Sequence, residues 1–221
     1  MQVPPMIGDP VSLPPGSSPA GAPPEELAAE ALRRGLLQQV LGELGALDRA
    51  AYQAVASTPT PHLDRPLRRL SDVANHSALW VGIAGGLATV GGDRGRRAAS
   101  LGLVSVGIAS AVANLGAKNL YARRRPARVS AGVPEERHAS MPGSSSFPSG
   151  HSASAFAFAT AVGHELPWLS LPLRVLAATV AYSRVHTGVH YPGDVVIGSV
   201  LGGAVGITVA SVTSRRARRL V

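Results

Sequence analysis

No charged residue occurs between Asp72 and Asp93, between Arg97 and Lys118, or between Asp194 and Arg215, and each window holds twenty residues. A helix needs about 20 apolar residues to cross roughly 30 Å of hydrocarbon. These windows predict an all-α, membrane-embedded bundle of five or six helices, preceded by an amphipathic helix. Two further segments are less clean: residues 152–163 are few, and residues 169–182 include Arg174, whose long side chain can snorkel to an interface. All these segments are rich in Gly, Ala and Ser, which lets helix backbones approach closely in lipid. The alternative is a soluble all-helical domain. Mean hydropathy of only +0.16 fits it, although the polar N-terminal quarter lowers that average.

Charge narrows the class further. The formal net charge is +8, yet only 15% of residues are charged. A nucleic-acid-binding protein of this basicity spreads Lys and Arg along one face. Here the arginines sit in short clusters between apolar stretches, which fits membrane boundaries and an anionic substrate, with no nucleic acid as partner. Without cysteine, neither a disulfide framework nor a Cys-ligated metal is possible. The first residues lack the basic, apolar, small-residue order of a secretory signal.

Residues 1–24 are rich in Pro, Gly and Ser and bury too little to order, so they read as a disordered tail. Residues 25–75 read as an amphipathic helical segment. Its first helix starts near Pro24 and shows an apolar stripe of Leu32, Leu36, Val40, Leu44, Leu47 and Val55. It ends before Thr58-Pro59-Thr60-Pro61, since a residue preceding Pro is pushed out of helical geometry. Residues 76–213 form the membrane domain, and residues 214–221 a basic tail.

Three short strings carry the chemistry. The first is Lys118 with Arg125-Pro126, six residues lying between the two cations. On a helix, seven positions make about two turns, so Lys118 and Arg125 would share a face. Arg123 and Arg124 would fall on other faces and read as a membrane-flanking cluster. The second is Pro148-Ser149-Gly150-His151, just before an apolar segment. A helix starting there offers free amides to a phosphate; Ser149 adds a hydroxyl donor and Gly150 removes a blocking side chain. His151 can protonate a leaving oxygen, since imidazole titrates near neutral pH. The third is Ser183-Arg184, then His190 after five residues and Asp194 after three more. Arg184 offers a planar fork for phosphate. Asp194, one turn beyond His190 at a helix start, can fix the imidazole tautomer and raise its basicity.

Taken together, the three strings resemble the motif of the type 2 phosphatidic acid phosphatase superfamily, across roughly Leu67 to Val212 and with every motif position filled. The resemblance implies that His190 attacks phosphorus and forms a phosphohistidine. It implies that Lys118, Arg125, Arg184 and the amides of Ser149 and Gly150 hold the phosphoryl oxygens. It also implies a metal-independent enzyme without cofactor, and a lipid phosphate substrate: polyprenyl diphosphate or phosphate, phosphatidic acid or phosphatidylglycerol phosphate. Vanadium haloperoxidases share these residues, with vanadate in the phosphate seat, but they resemble large soluble proteins. An inactive scaffold that keeps the pocket is the non-enzymatic alternative. A cation cluster buried without an anion is costly, which argues against it.

The other histidines are ordinary by default. His186 and His190 are four apart, but Gly188 and Pro192 speak against the continuous helix that a metal pair needs. Residues 127–147 read either as a cover over the site or as a plain connector. Arginines divide seven against eight between the two membrane faces, so the positive-inside rule barely chooses. The resemblance implies a multi-pass protein of the cell membrane with its site on the outer face.

Overall fold

In the computed structural model, which describes residues 23–117 and 122–219, four helices open on proline: α1 (Pro24–Ser57), α2 (Pro61–Val73), α6 (Pro167–His186) and α7 (Pro192–Arg219). Proline suits that place because its missing N–H has no partner in a first turn and its φ is preset. Between them lie α3 (Ala78–Val90), α4 (Gly92–Ala111) and α5 (Gly150–Glu165). No strand occurs among the described residues, and the fold is all-α. Residues expected to form the disordered tail lie outside the described ones up to residue 22. At the other end, α7 stays helical through Arg219, so most of the expected basic tail belongs to that helix.

α5 is the centre of the bundle and packs against α4, α6 and α7. Its Ala153, Ala157 and Ala161 are fully buried. Small residues on the facing helix match them. A Cβ at Gly202 would collide with the Ala153 carbonyl, and one at Gly206 would sit 2.8 Å from the Ala157 carbonyl. This seam lets α5 and α7 touch backbone to backbone. On the opposite flank, Phe158 of α5 meets Trp80 of α3 with ring centroids 5.2 Å apart, over a core that includes Val162, Leu173 and Val180.

Among the described residues, two helical stretches, Gly92–Leu115 and Pro192–Thr213, are long and apolar enough to cross a membrane, or three if a bent pair counts as one span. The first charge-free window does not form one rod: α2 and the stretch Asn75–Val90 are bent by 66°. The cause lies at His76 (φ 53) and Ser77 (φ 59), two non-glycine residues in the left-handed region. α5 has only 16 residues and nine of them are buried by its neighbours, so it has little surface to offer lipid.

The chain divides into two units, Met1–Gly45 and Ala46–Val221. In the first, Leu32, Leu36, Val40 and Leu44 of the apolar stripe are exposed. In the second, Tyr52 and Ala56 near the end of α1 pack with Ala131, Val133 and Val185.

Candidate active site

The third motif is shaped by a helix ending. α6 stops at His186, and Gly188 takes φ +68, a left-handed turn that favours glycine. The chain folds back, and the amides of Val189 and His190 both donate to the Arg184 carbonyl, at 3.0 and 3.1 Å. His190 is thereby held almost fully buried before Pro192 starts α7. Arg125 Nη1 donates to His190 Nε2 at 3.2 Å, so Nε2 presents its lone pair and the hydrogen sits on Nδ1. Nδ1 faces Asp194, whose Oδ2 is 3.6 Å away, an ion-pair contact longer than a hydrogen bond. Burial pushes the imidazole down to about 4; Arg125 and Arg184 add to this and Asp194 opposes it. At neutral pH, His190 is an uncharged base.

Asp194 gathers the site around itself. Its carboxylate, fully buried in the first turn of α7, accepts from the Tyr191 amide at 2.9 Å, from Ser146 Oγ and from Arg123 Nη1 at 2.7 Å. Its carbonyl accepts the Ser149 amide at 2.9 Å, which ties the second motif to the third. Arg123 also donates through Nη2 to Asp48 Oδ2 at 2.7 Å. The sequence reading of Arg123 as part of a membrane-flanking cluster is therefore corrected. The reason is local: residues 122–127 are not helical, and exposure alternates so that Arg123 and Arg125 turn inward while Arg124 faces out. Arg125 is not on a helix, and the residues through which it was expected to share a helical face with Lys118 lie in part outside the described ones. Lys118 itself lies outside the described residues.

Arg125 is held from three sides. Nε donates to the Ser144 carbonyl at 2.9 Å, Nη1 to the Val189 carbonyl at 3.0 Å and Nη2 to the Ser145 carbonyl at 3.2 Å. Arg184 is completely buried. Its Nη1 donates to the Ser71 carbonyl and hydroxyl, at 3.1 and 2.5 Å, while Nε and Nη2 have no partner among the described residues. Buried donors left unpaired carry a desolvation cost, which an anion would relieve.

A cavity of about 390 Å³ opens beside these groups, lined by His190, Arg125, Gly150 and His151. Ser149 is not on its wall. Its hydroxyl oxygen accepts from the Ser152 amide at 3.4 Å and from Ser152 Oγ at 3.0 Å, and its amide is taken by Asp194. Ser149 serves as a helix cap that ties two motifs together. His151, on the first turn of α5, contacts Asn75 Oδ1 through Nε2 at 2.9 Å. Arg184 is likewise absent from the wall, its guanidinium buried against Ser71.

The segment 127–147 does more than connect. Ser140, Pro142 and Ser144 line the cavity. Buried Arg137 anchors the segment by donating to Asp64 Oδ1 at 2.8 Å and to the Thr58 carbonyl at 2.7 Å. His186 joins that anchor, 3.2 Å from Asp64 Oδ1 and 2.9 Å from Thr60 Oγ1. Sequence reasoning missed Asp48, Asn75 and Asn114, which reach the site from outside the motifs. For Asn114 a signal existed: it is a polar residue inside an otherwise apolar window.

The PAP2 superfamily model matches residues 98–218. The chain belongs to the PAP2 superfamily. It is a phosphoric ester hydrolase of that superfamily and a membrane protein. It is 36% identical over 161 residues to the decaprenylphosphoryl-5-phosphoribose phosphatase of Mycobacterium tuberculosis, covering 71% of this chain and 86% of that one. It is 41% identical to the lipid A 4'-phosphatase of Bacteroides thetaiotaomicron over 59 residues, 26% of each chain. In fold it resembles the transmembrane PAP2 type phosphatidylglycerolphosphate phosphatase of Bacillus subtilis, with a TM-score of 0.61 at 23% identity over 78% of this chain and 87% of that one. It also resembles Aquifex aeolicus LpxE, with a TM-score of 0.59 at 22% identity over 75% and 95%. The PAP2 match includes Arg123, Arg125, His151, Arg184, His190 and Asp194, whereas Asp48 and Asn75 precede it.

Proposed function

We propose that this PAP2 enzyme hydrolyses the phosphomonoester of a lipid-linked polar head group, a polyprenylphosphoryl sugar phosphate being the first candidate, through a phosphohistidine. The observation that carries the mechanism is His190: buried, uncharged, its Nε2 lone pair beside Arg125 on the cavity wall. Nε2 attacks phosphorus in line, and the bond from phosphorus to the ester oxygen breaks. His151 gives its proton to the departing alkoxide, a role worth about 10²- to 10⁴-fold in rate. Imidazole bearing the phosphoryl group is cationic, and the carboxylate of Asp194 on the Nδ1 side stabilises it. Arg125 and Arg184 balance the charge on the phosphoryl oxygens. Water then attacks the phosphohistidine, His151 takes its proton, and inorganic phosphate leaves.

Two observations favour a polar head group over a bare lipid phosphate. The relative from Mycobacterium tuberculosis carries a phosphoribose in its name and aligns over most of both chains. The cavity is also more polar than usual. Small-molecule pockets are mostly apolar, yet of the fourteen residues lining this one only Ala74, Pro142 and Gly150 lack a polar side chain. The same cavity is lined by Asn75, Ser77, Ser110 and Asn114, with Asn114 Nδ2 donating to Ser110 Oγ at 3.1 Å. Asn114 lies in a π-helical turn, Val112–Ala117, a distortion frequent at functional sites. The left-handed His76 and Ser77 face the same space, held in sparsely populated geometry.

The test is phosphate release in detergent and EDTA from a panel of four: a polyprenylphosphoryl ribose 5-phosphate, the same polyprenyl chain as monophosphate, phosphatidic acid and phosphatidylglycerol phosphate. Fastest turnover is expected on the sugar phosphate, abolished by His190→Ala. Turnover that survives His190→Ala would overturn the phosphohistidine, and preference for the plain monophosphate would overturn the head-group reading.

A further inference from the structure

Asp48 sits on α1, fifty residues before the PAP2 match begins. Both its oxygens are nonetheless committed at the site. Oδ1 accepts the Gly193 amide at 2.7 Å, one residue before Asp194, and Oδ2 accepts Arg123 Nη2 at 2.7 Å. The other arm of Arg123 reaches Asp194 at 2.7 Å. The Arg123 guanidinium lies 4.1 Å from the Tyr191 ring centroid, and Tyr191 meets Tyr52 of α1 edge to face at 5.4 Å. Burial works against the Arg123 charge, but Asp194 and Asp48 outweigh it and hold its pKa above the usual arginine value.

We propose that Asp48 and Arg123 are a positioning pair for His190, by which α1 sets both the geometry and the charge of Asp194. The geometric part is direct. The guanidinium bridges the two carboxylates with one N–H to each, and Asp48 also holds the Gly193 amide of the backbone that carries Asp194. The charge part follows from counting. Arg123 alone would neutralise Asp194 and leave it a poor partner for the cationic phosphohistidine. With Asp48 in place, the three groups together carry one negative charge, in a pocket that water screens little. That charge faces Arg125 from the loop and Arg184 from α6, the two cations that disfavour positive charge on His190.

The kinetic arm of the test rests on the phosphatase reading; a spectroscopic arm does not. Asp48→Asn is nearly isosteric but has a single acceptor oxygen, so it keeps one of the two contacts, to Gly193 N or to Arg123 Nη2, and removes the charge. In the full-length protein in detergent, kcat for the preferred lipid phosphate is expected to fall about tenfold with KM within twofold, since loss of one charge-assisted contact acts on the transition state. Arg123→Gln should lose at least as much, and the double variant little more than Arg123→Gln alone, because the two act as a unit. Histidine-labelled protein is then titrated by NMR, with the His190 signal assigned by its absence in His190→Asn. In Asp48→Asn the His190 titration point is expected to move down, as the unshared Arg123 charge bears on Asp194. Unchanged kcat, a loss confined to KM or to melting temperature, additive losses in the double variant, or an unmoved His190 titration would each overturn the pair. Should no lipid phosphate be hydrolysed by the parent protein, the phosphatase reading falls and the NMR arm alone decides.

Discussion

The imidazole of His190 resists protonation because it is buried and has Arg125 and Arg184 for neighbours, and this fixes how it responds to pH. Its titration is displaced from 6.5 down to about 4. The unfolded chain therefore takes up the proton first as pH falls. The contribution to stability is complete above about 6.5 and is lost progressively as pH drops toward about 4. In the folded protein the His190 resonance is expected to titrate near 4 by NMR, and a value of 6 to 7 would contradict the burial argument. At this scale much of the site was legible in the sequence. Gly150, His151, His190 and Asp194 sit in short strings whose spacing is set by a helix start or a tight turn. Arg123 was not legible, since its role depends on whether the backbone is helical or extended. Asp48 was not either, being 75 residues from Arg123 with no local pattern to mark it.

At the scale of elements, the seam between α5 and α7 brings the second and third motifs together. Gly202→Leu places a side chain against the Ala153 backbone and is expected to destabilise by about 1–3 kcal/mol. Phosphate release should fall as well, because α5 carries His151 and α7 carries Asp194. Gly203→Leu is the control, as a Cβ there meets nothing within 4 Å. Thermal unfolding in detergent separates the two: equal melting temperatures would mean that the seam is not close-packed. The small-residue composition predicted close helix contacts, yet it did not say which glycines face which helix. The bend between α2 and α3 was hidden too, because charge-free composition reads the same for a straight helix and a broken one.

For the whole molecule, the site lies at one end of the bundle. The end of α4, the start of α5 and the turn between α6 and α7 all reach the same cavity. The chain has no cysteine, so a single introduced thiol reports cleanly on sidedness. With the site on the outer face, S140C on the cavity wall is expected to react with a membrane-impermeant maleimide in intact cells, and V90C at the junction of α3 and α4 to be protected. The reverse pattern would put the site inside. The sequence by itself determined the all-α class, the apolar character of the membrane helices and the superfamily, because hydrophobic length and local spacing are properties of neighbouring residues. Only the tertiary structure decided that Ser149 serves as a cap, that Arg184 is buried against Ser71, and that α1 supplies Asp48. Those depend on contacts between segments far apart in the chain, where backbone direction and packing choose the partner.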